Sequence, residues 1–135
     1  MLMIERNQLS KKLQDAEADS LISEGKIHAD ILLINKLFYD RPPKEIKLLA
    51  KKIVEISPDT VIFFGLKAER RAQLFFQCSE TLDFNMDQLM KSACRVINGR
   101  GGGRPQQAQG GGSAVEKIEN ALQSAQDMLL KLIGE

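Results

Sequence analysis

Residues 99–112 read Gly-Arg-Gly-Gly-Gly-Arg-Pro-Gln-Gln-Ala-Gln-Gly-Gly-Gly, and seven of the ten glycines in this 135-residue chain lie there. Glycine is required where the backbone adopts a positive φ or where another group approaches too closely for a Cβ atom. Arg100 and Arg104 flank the three central glycines. The stretch therefore predicts a tight segment that presents backbone N–H groups between two cationic side chains, and the residues after it could run as a short strand.

Helices and strands are predicted on both sides of this segment. Asn85 is a typical N-cap residue and precedes a helix over residues 86–97, whereas Ser113 and Glu116 form a capping box for a last helix. The spacing of apolar residues, runs of β-branched residues and the positions of proline and glycine predict the upstream elements. They are a helix over 2–24 that Gly25 ends, a strand at Ile31–Ile34, a helix opened by Pro42 and Pro43, and an antiparallel hairpin of Thr60–Phe64 with Ala72–Cys78.

This order of elements predicts an α/β (α+β) fold, in which a mixed β-sheet of about four to five strands carries packed helices. An amphipathic helix precedes the sheet and another helix follows it. The length of 135 residues allows one domain, or one domain with an appendage. We therefore divide the chain into a helical, coiled-coil-like appendage over residues 1–25 and a globular domain over residues 26–135.

The charge of the chain is unevenly distributed. The 19 Lys and Arg residues and the 18 Asp and Glu residues leave a formal net charge of +1. Residues 1–30 and 113–135 each carry a net charge of −2, whereas residues 31–112 carry +5. Near-neutrality alone argues against a nucleic-acid partner, but the basic middle of the chain permits local and modest binding of RNA.

The composition also predicts where the chain works. No apolar run reaches the roughly 18 residues that a membrane span needs, and the N-terminus lacks the uninterrupted apolar stretch of a signal peptide. Cys78 and Cys94 are too few for the disulfide framework of a secreted domain, and we expect both to be buried thiols. The sequence predicts a cytoplasmic protein with no membrane partner.

The glycine segment resembles a family signature. Three pieces match the C-terminal domain (C-Ala) of bacterial-type alanyl-tRNA synthetases, a member of the DHH-associated domain family. They are Gly99-Arg-Gly-Gly-Gly-Arg-Pro105, Ala108-Gln109 and Gly111-Gly112. The order of helices and strands upstream is also similar, so that the resemblance covers residues 1–133. Gln106 departs from the signature, since the family usually has Asp after the Arg-Pro pair.

The resemblance implies a non-catalytic module of alanine–tRNA ligase that binds the outer corner of tRNA and dimerises. It would help the aminoacylation and editing domains act on one tRNA, and these domains, tRNA and a second copy of the chain are the implied partners. Whether single-stranded DNA is also bound stays open. The parent synthetase would use ATP, Mg and Zn, but we expect no cofactor or metal in this chain. His28, Cys78 and Cys94 alone cannot supply the zinc ligands of the editing site.

Basic side chains and exposed N–H groups are what a structured RNA requires, because it is held mainly through phosphates and 2′-hydroxyls. The sequence offers them in the glycine segment, at the hairpin tip and in the helix before the glycines, and the family motif adds one glutamine. We expect no catalytic residues. The predicted nucleic-acid-binding residues are Arg100, Gly101, Gly102, Gly103, Arg104, Gln109, Lys67, Arg70, Arg71, Lys91 and Arg95.

Simpler structural interpretations compete with binding. The glycine segment could be a tight connection whose arginines point to solvent. His28 fits the edge of a strand, and Tyr39 fits a half-buried position after the first strand better than a base-stacking platform. The lysines of the helix at Pro43 fit the solvent face of an amphipathic helix. These lysines are Lys44, Lys47, Lys51 and Lys52.

Seven-residue apolar spacings in the two terminal helices predict helix pairing, within one chain or between two. Together with the dimerising habit that the resemblance implies, they predict a homodimer or a monomer–dimer equilibrium. The residues assigned to this packing are Leu2, Leu9, Leu13, Val115, Leu122 and Leu129.

Two other functions stay open. A related glycine motif contacts a nucleotide phosphate in DHH-type phosphoesterases and RecJ-type exonucleases, so the chain could be the substrate-binding domain of such an enzyme. Those enzymes usually carry His after the glycines, where this chain has Arg104, and the sequence contains no Asp-His-His metal motif. A plain dimerisation domain without affinity for nucleic acid is the third candidate.

Overall fold

A computed structural model describes the backbone of residues 2–134 and the side chains of residues 13–134. Helices alternate with pairs of consecutive strands along this part of the chain. In chain order they are α1 (Leu2–Glu24), β1 (Lys26–His28), β2 (Ile31–Tyr39), α2 (Pro43–Ile56), β3 (Thr60–Lys67), β4 (Ala72–Cys78), α3 (Met86–Val96), β5 (Gly99–Gly103), β6 (Gln107–Gly112), a 3₁₀ turn (Val115–Lys117) and α4 (Ile118–Leu132).

The strands form one six-stranded sheet in the order β1-β2-β3-β4-β6-β5. Strands β2 and β3 are parallel, which requires a crossover connection, and α2 supplies it. All other neighbouring strands are antiparallel. The mixed α+β class is confirmed, with six strands instead of four to five. The increase arises because residues 99–112 form two strands and Lys26–His28 adds a short strand at the opposite edge.

Helices cover both faces of the sheet and create two core layers. On one face α1 and α2 pack on the sheet, and Leu49 and Ile53 of α2 are fully buried there. On the other face α3 and α4 bury residues such as Met90. Successive residues of a strand point to opposite faces, so Phe63 and Phe64 belong to different layers and both are fully buried. The central strand β3 therefore reads as a continuous apolar run.

Local signals explain the starts of two helices. Pro43 stands at the first position of α2, where its missing N–H costs nothing. The side chain of Asn85 accepts a hydrogen bond from the Gln88 N–H (3.2 Å) and caps α3 as predicted.

The predicted capping box of Ser113 and Glu116 is wrong. The chain after β6 first makes the 3₁₀ turn, and α4 begins only at Ile118. The Ala114 N–H donates to the carbonyl of Ile97 at the end of α3 (3.0 Å). This tertiary hydrogen bond holds Ala114, the residue after the predicted cap, against the end of α3.

The apolar seam of α4 is buried in the core of this chain. Leu122 and Leu129 are 4% and 1% exposed and pack with residues of β3 and α3. Val115, predicted to lie on the same helix, is in the 3₁₀ turn before it and is half-buried. These three residues serve packing within the chain, and a partner chain could reach Leu122 and Leu129 only if the core opened.

The second half of α1 is fastened to the globular body. The Arg41 guanidinium donates two hydrogen bonds to the Glu17 carboxylate (2.7 and 3.0 Å) and lies over the ring of Phe38, 5.1 Å from its centroid. Lys52 of α2 forms an ion pair with Asp15. Such paired, half-buried charges on neighbouring elements fix the direction in which α1 leaves the domain.

Leu13, at the middle of α1, has a different environment from the residues that follow it. Leu13 is 71% exposed, whereas Leu21, two turns later, is buried against α2. Leu2 and Leu9, the other predicted packing residues of this helix, lie outside the side chains that the structure describes. No helix in the described part of the chain combines the length and the apolar character that crossing a membrane requires.

Candidate nucleic-acid interface

The glycine segment is a β-hairpin, not an irregular connection. Strands β5 and β6 pair along their whole length. Arg104 and Gln107 close the hairpin with two hydrogen bonds, from the Arg104 N–H to the Gln107 carbonyl (2.8 Å) and from the Gln107 N–H to the Arg104 carbonyl (3.2 Å). Pro105 and Gln106 form the two-residue turn between them. We call this four-residue segment, residues 104–107, the arginine turn.

Close approach explains the glycines of this hairpin. None of the glycines between residues 99 and 112 has a positive φ. A Cβ atom on Gly99 would overlap the carbonyl oxygen of Gly111 on β6, and one on Gly101 would lie 2.8 Å from the Cys94 Sγ of α3. The glycines therefore let β5 lie unusually close to both its partner strand and the helix above it.

The arginine turn is clamped from two sides. The Met86 N–H at the start of α3 donates to the Pro105 carbonyl (2.8 Å), and the Cys78 N–H at the end of β4 donates to the Gln106 carbonyl (2.9 Å). These contacts use backbone atoms, so the replacement of the family's usual Asp by Gln106 leaves them intact. The turn holds the exposed side chain of Arg104 at a defined place at one end of the sheet.

Asp87 attaches the glycine strand to α3. Its carboxylate accepts a hydrogen bond from the Gly103 N–H (2.8 Å) and lies 3.0 Å from the ammonium of Lys91. The Gly103 hydrogen bond, and after it the one from Lys91, lower the pKa of Asp87 below its ordinary value of 3.8. Gly101 to Gly103 form an extended strand, and Asp87 takes the N–H group of Gly103, one of those predicted to be presented between the two arginines.

We predict that Asp87→Asn makes the folded chain less sensitive to acid. A carboxyl group with a lowered pKa contributes stability above its unfolded-state pKa and loses it as the pH falls through its folded-state pKa. The wild type should therefore lose stability more steeply than the variant below about pH 4. Urea unfolding at several pH values between about 5 and 2 measures both slopes. Equal slopes would show that the Asp87 contact contributes nothing.

The predicted basic residues do not form one patch. Arg100 and Arg104 lie about 13 Å apart, at the two ends of β5. The guanidinium of Arg71 covers Gly111, with its Nε 3.1 Å from the place where a Cβ atom there would stand, and Gly111 is the cross-strand neighbour of Arg100. The structure thus brings Arg71 and Arg100 together. With Lys67 and Arg70 on the β3–β4 hairpin they form the tip group.

Of the two predicted residues of α3, only Lys91 reaches the glycine strand: its Cε lies 3.4 Å from the place where a Cβ atom of Gly102 would stand. Helix α3 packs on the face of the sheet opposite to α2. Lys91 is engaged by Asp87, whereas Arg95 is exposed one turn further on. A ligand that contacts the tip group or the arginine turn on the α2 side would have to wrap around the β5 edge to reach Arg95.

A groove of about 1050 Å³ lies between α2 and the arginine turn. Four cationic side chains border it, three of them from α2: Lys44, Lys47 and Lys51, with Arg104 opposite. We call it the lysine groove. Glu55 and Glu80 are the acidic residues of its lining, so its positive charges outnumber the negative ones by two.

The lining of the lysine groove is mixed in character. Leu48 and Val54 of α2 give it apolar surface, while Gln77, Gln106 and Gln107 contribute amides. The volume far exceeds that of a phosphate ion and falls in the range of sites for small organic ligands. The arrangement can hold a phosphate on its cations and a ribose or base on the remaining walls.

Sequence reasoning assigned the α2 lysines to a solvated face and missed this arrangement. Lys44, Lys47 and Lys51 are three and four residues apart, which places them on one face of the helix. Only the tertiary structure shows that this face is opposed by the arginine turn, because the pairing of β4 with β6 brings the turn there. Lys52 points elsewhere and pairs with Asp15.

Glutamines occupy the sheet between the lysine groove and Arg100. Gln77 is the cross-strand neighbour of Gln107, and Phe75 is that of Gln109. By alternation Gln107 and Gln109 share the face of Phe75, which belongs to the core under α2. Helix α2 packs on β3 and β4, and beyond it Gln109 is exposed. Amides donate and accept hydrogen bonds, so this glutamine face (Gln77, Gln107, Gln109) can meet phosphates, ribose hydroxyls and base edges.

The residues with catalytic or metal-binding potential have structural roles. Cys78 and Cys94 are free thiols, each 1% exposed, as predicted. Burial raises the pKa of Cys78 to about 11 and also raises that of Cys94, so both stay protonated at neutral pH. His28 lies on the edge strand β1. Among the side chains that the structure describes, no group of three or more His, Cys, Asp or Glu residues is placed to hold a metal ion.

The prediction for Tyr39 is wrong. Its side chain is 56% exposed, not half-buried, at the end of β2. Strand β2 is longer than the predicted strand at Ile31–Ile34 and carries Tyr39 to the end of the sheet, next to Lys67.

The chain matches the model of a known protein family. The model of the DHHA1 domain matches residues 29–131, a range that contains α2, the glycine hairpin and most of α4. The chain belongs to the DHHA1 domain family. The resemblance drawn from the glycine signature is thereby confirmed.

Alanine–tRNA ligases are curated relatives of this DHHA1 domain. The ligase of Caldicellulosiruptor saccharolyticus is 30% identical over 120 residues, which cover 87% of the chain and 14% of that protein. The ligase of Desulfosudis oleivorans is 34% identical over 91 residues, 66% of the chain and 10% of that protein. The chain therefore corresponds to a small part of these relatives' length.

Solved structures show the same fold. The C-Ala domain of Aquifex aeolicus alanyl-tRNA synthetase superimposes with a TM-score of 0.72 at 24% identity, over 78% of this DHHA1 domain chain and 97% of that one. RecJ of Thermus thermophilus gives a TM-score of 0.59 at 16% identity, over 93% of this chain and 18% of RecJ. At these identities the likeness concerns the fold alone.

Proposed function

We propose that this DHHA1 domain is a non-catalytic module of an alanine–tRNA ligase that holds the outer corner of tRNA. The observation that carries the proposal is the lysine groove, where α2 and the arginine turn hold four cations around a cavity of about 1050 Å³. The alanine–tRNA ligases among its relatives indicate which RNA it would bind.

The geometry suits an RNA backbone better than a free anion. The lysine groove, the glutamine face and Arg100 follow one another along the α2 side of β4, β6 and β5. The Cα atoms of Arg100 and Arg104 alone are about 13 Å apart, a span that covers several nucleotides of one strand. Cations at intervals can neutralise successive phosphates, and the glutamines between them can reach ribose 2′-hydroxyls.

In the parent enzyme such a module would position one tRNA for the aminoacylation and editing domains, its partners in the same protein. The chemistry, with ATP, Mg and Zn, would belong to those domains, and we propose no cofactor for this one. We place the protein in the cytoplasm, where tRNA is charged.

Self-association forms a further part of the proposal. Because Leu122 and Leu129 are buried in their own core, we propose that a homodimer would use the surface of α1 around Leu13, which is exposed. Sedimentation across protein concentration tests this point, and a strict monomer at about 100 μM would remove it.

A titration of labelled tRNA with the chain, repeated at several salt concentrations, tests the main proposal. We expect micromolar affinity that weakens steeply with salt, since a protein that neutralises phosphates releases counterions. Arg104→Ala should weaken binding and lower the salt slope by about one. A second tRNA and a single-stranded DNA are the comparison ligands. Similar affinity for both tRNAs is expected from contacts to phosphates, and weaker binding of DNA is expected from contacts to 2′-hydroxyls.

Three results would contradict the proposal. Unchanged affinity and salt slope in Arg100→Ala and Arg104→Ala would remove the site, and no salt-dependent binding of any RNA would leave the plain dimerisation domain. Cleavage of an oligonucleotide by the isolated chain would favour the phosphoesterase alternative.

A further inference from the structure

We propose that Tyr39 is a stacking platform for an unpaired base of the bound RNA. The proposal rests on the function above and adds a contact that the lysine groove does not contain. It begins from an unusual exposure: the side chain of Tyr39 is 56% exposed, although the neighbouring Phe38 is 5% exposed and packs edge-on against Phe64, with 5.0 Å between the ring centroids.

The platform is held rigidly. Tyr39 is the last residue of β2 and pairs with Lys67, the last residue of the parallel strand β3, at the end of a continuous eight-residue register. The next N–H, that of Asp40, donates to the Lys67 carbonyl (3.3 Å), and Asp40 turns the chain away with a φ of +48°. A ring mounted on a fixed strand loses little conformational freedom on binding, which favours stacking.

The surroundings fit a nucleic acid. Lys67 lies beside Tyr39 on the neighbouring strand, and the turn that follows carries exposed Arg70. By alternation Tyr39 and Lys67 share the sheet face opposite to Phe38, whereas the guanidinium of Arg71 lies further away, over Gly111. Asp40 and Glu69 are the nearby acids in sequence, and the cations near Tyr39 are Lys67 and Arg70. An exposed aromatic ring flanked by cations is how proteins hold single-stranded bases, with the phosphates on the cations and the base on the ring.

The ligand must present a free base face. Bases inside a duplex are covered on both faces by their neighbours, so a ring at the end of a sheet can stack only on a base of a loop, a bulge or a strand end. The recognised element is therefore an unpaired or terminal base, with its backbone turned toward the tip group.

The chain offers a specific probe, because Tyr39 is its one tyrosine and it has no tryptophan. Replacing tyrosine by 3-fluorotyrosine gives a single fluorine resonance, recorded during titration with tRNA, with a single-stranded RNA and with a blunt RNA duplex. We expect the resonance to shift with tRNA and with the single strand. The duplex exposes base faces only at its two ends, so it should shift the resonance much less while still binding through its phosphates.

Affinity variants complete the test. Tyr39→Ala should weaken tRNA binding about tenfold, and Tyr39→Phe should keep it because the ring remains. Ile27→Ala, at a side chain 74% exposed on the far edge strand, is the matched control and should change nothing. Salt-dependent tRNA binding with an unmoved resonance and full affinity in Tyr39→Ala would overturn the stacking proposal and leave the tRNA module standing. If the wild type binds no RNA, both proposals fail.

Discussion

Gly99→Ala is expected to destabilise the folded chain by about 3 kcal/mol, a large cost for one added methyl group. The methyl group would overlap the carbonyl oxygen of Gly111. That oxygen belongs to the backbone of the neighbouring strand, so relief requires β5 and β6 to separate. Urea unfolding followed by circular dichroism measures the loss, and a variant too unstable to purify folded would agree with it.

Gly111→Ala is the matched control on the facing strand. The nearest atoms to its added methyl group lie at 3.1 Å, and two of the three nearest belong to the flexible side chain of Arg71. We expect a loss below about 1 kcal/mol there. We expect the two variants to differ because the close approach of β5 to β6, and not the number of glycines, determines where glycine is needed. Equal losses of stability in the two variants would contradict this.

The double variant Lys47→Glu/Lys51→Glu reverses two charges in the lysine groove, and we expect it to weaken tRNA binding about 30-fold. Each substitution removes one cation facing the arginine turn and adds an anion that repels phosphate. The salt dependence should flatten as well, by roughly one unit of log–log slope for each lost phosphate contact. Filter binding at two salt concentrations measures both effects.

The control for this variant changes the net charge equally in another place. Lys26 and Lys131 are exposed, the first on the edge strand β1 and the second on α4, away from the groove. Lys26→Glu/Lys131→Glu should keep affinity within about threefold, the change expected from net charge alone. If both double variants weaken binding equally, the interaction is a general charge effect and the groove is not its site.

The strands and helices with strong local signals could be predicted from the sequence. Pro43 and Asn85 mark helix starts by chemistry that acts within a few residues, and the apolar run at Thr60–Phe64 needs only burial to become a strand. The glycine hairpin could not be predicted in this way. Glycine has a low intrinsic preference for strands. The glycines of β5 are explained by tertiary contacts, because atoms of α3 and β6 lie too close to them for larger residues.

The candidate site was predictable in part. The motif pointed to Arg100 and Arg104, and the structure shows that they lie at opposite ends of one strand. The α2 lysines could not be recognised, since an exposed helix face and a groove wall have the same sequence pattern. Tyr39 was misjudged because its exposure depends on where β2 ends relative to the helices.

We propose that RNA lies on the α2 side of β4, β6 and β5. The most direct measurement is a two-dimensional ¹H–¹⁵N NMR titration of the isotope-labelled chain with tRNA, which reports on every backbone amide and on the glutamine side chains. We expect the largest changes at residues 44–51, at residues 104–109 and at the amide groups of Gln77, Gln107 and Gln109. Changes concentrated on the outer surfaces of α3 and α4, with these signals unmoved, would contradict it.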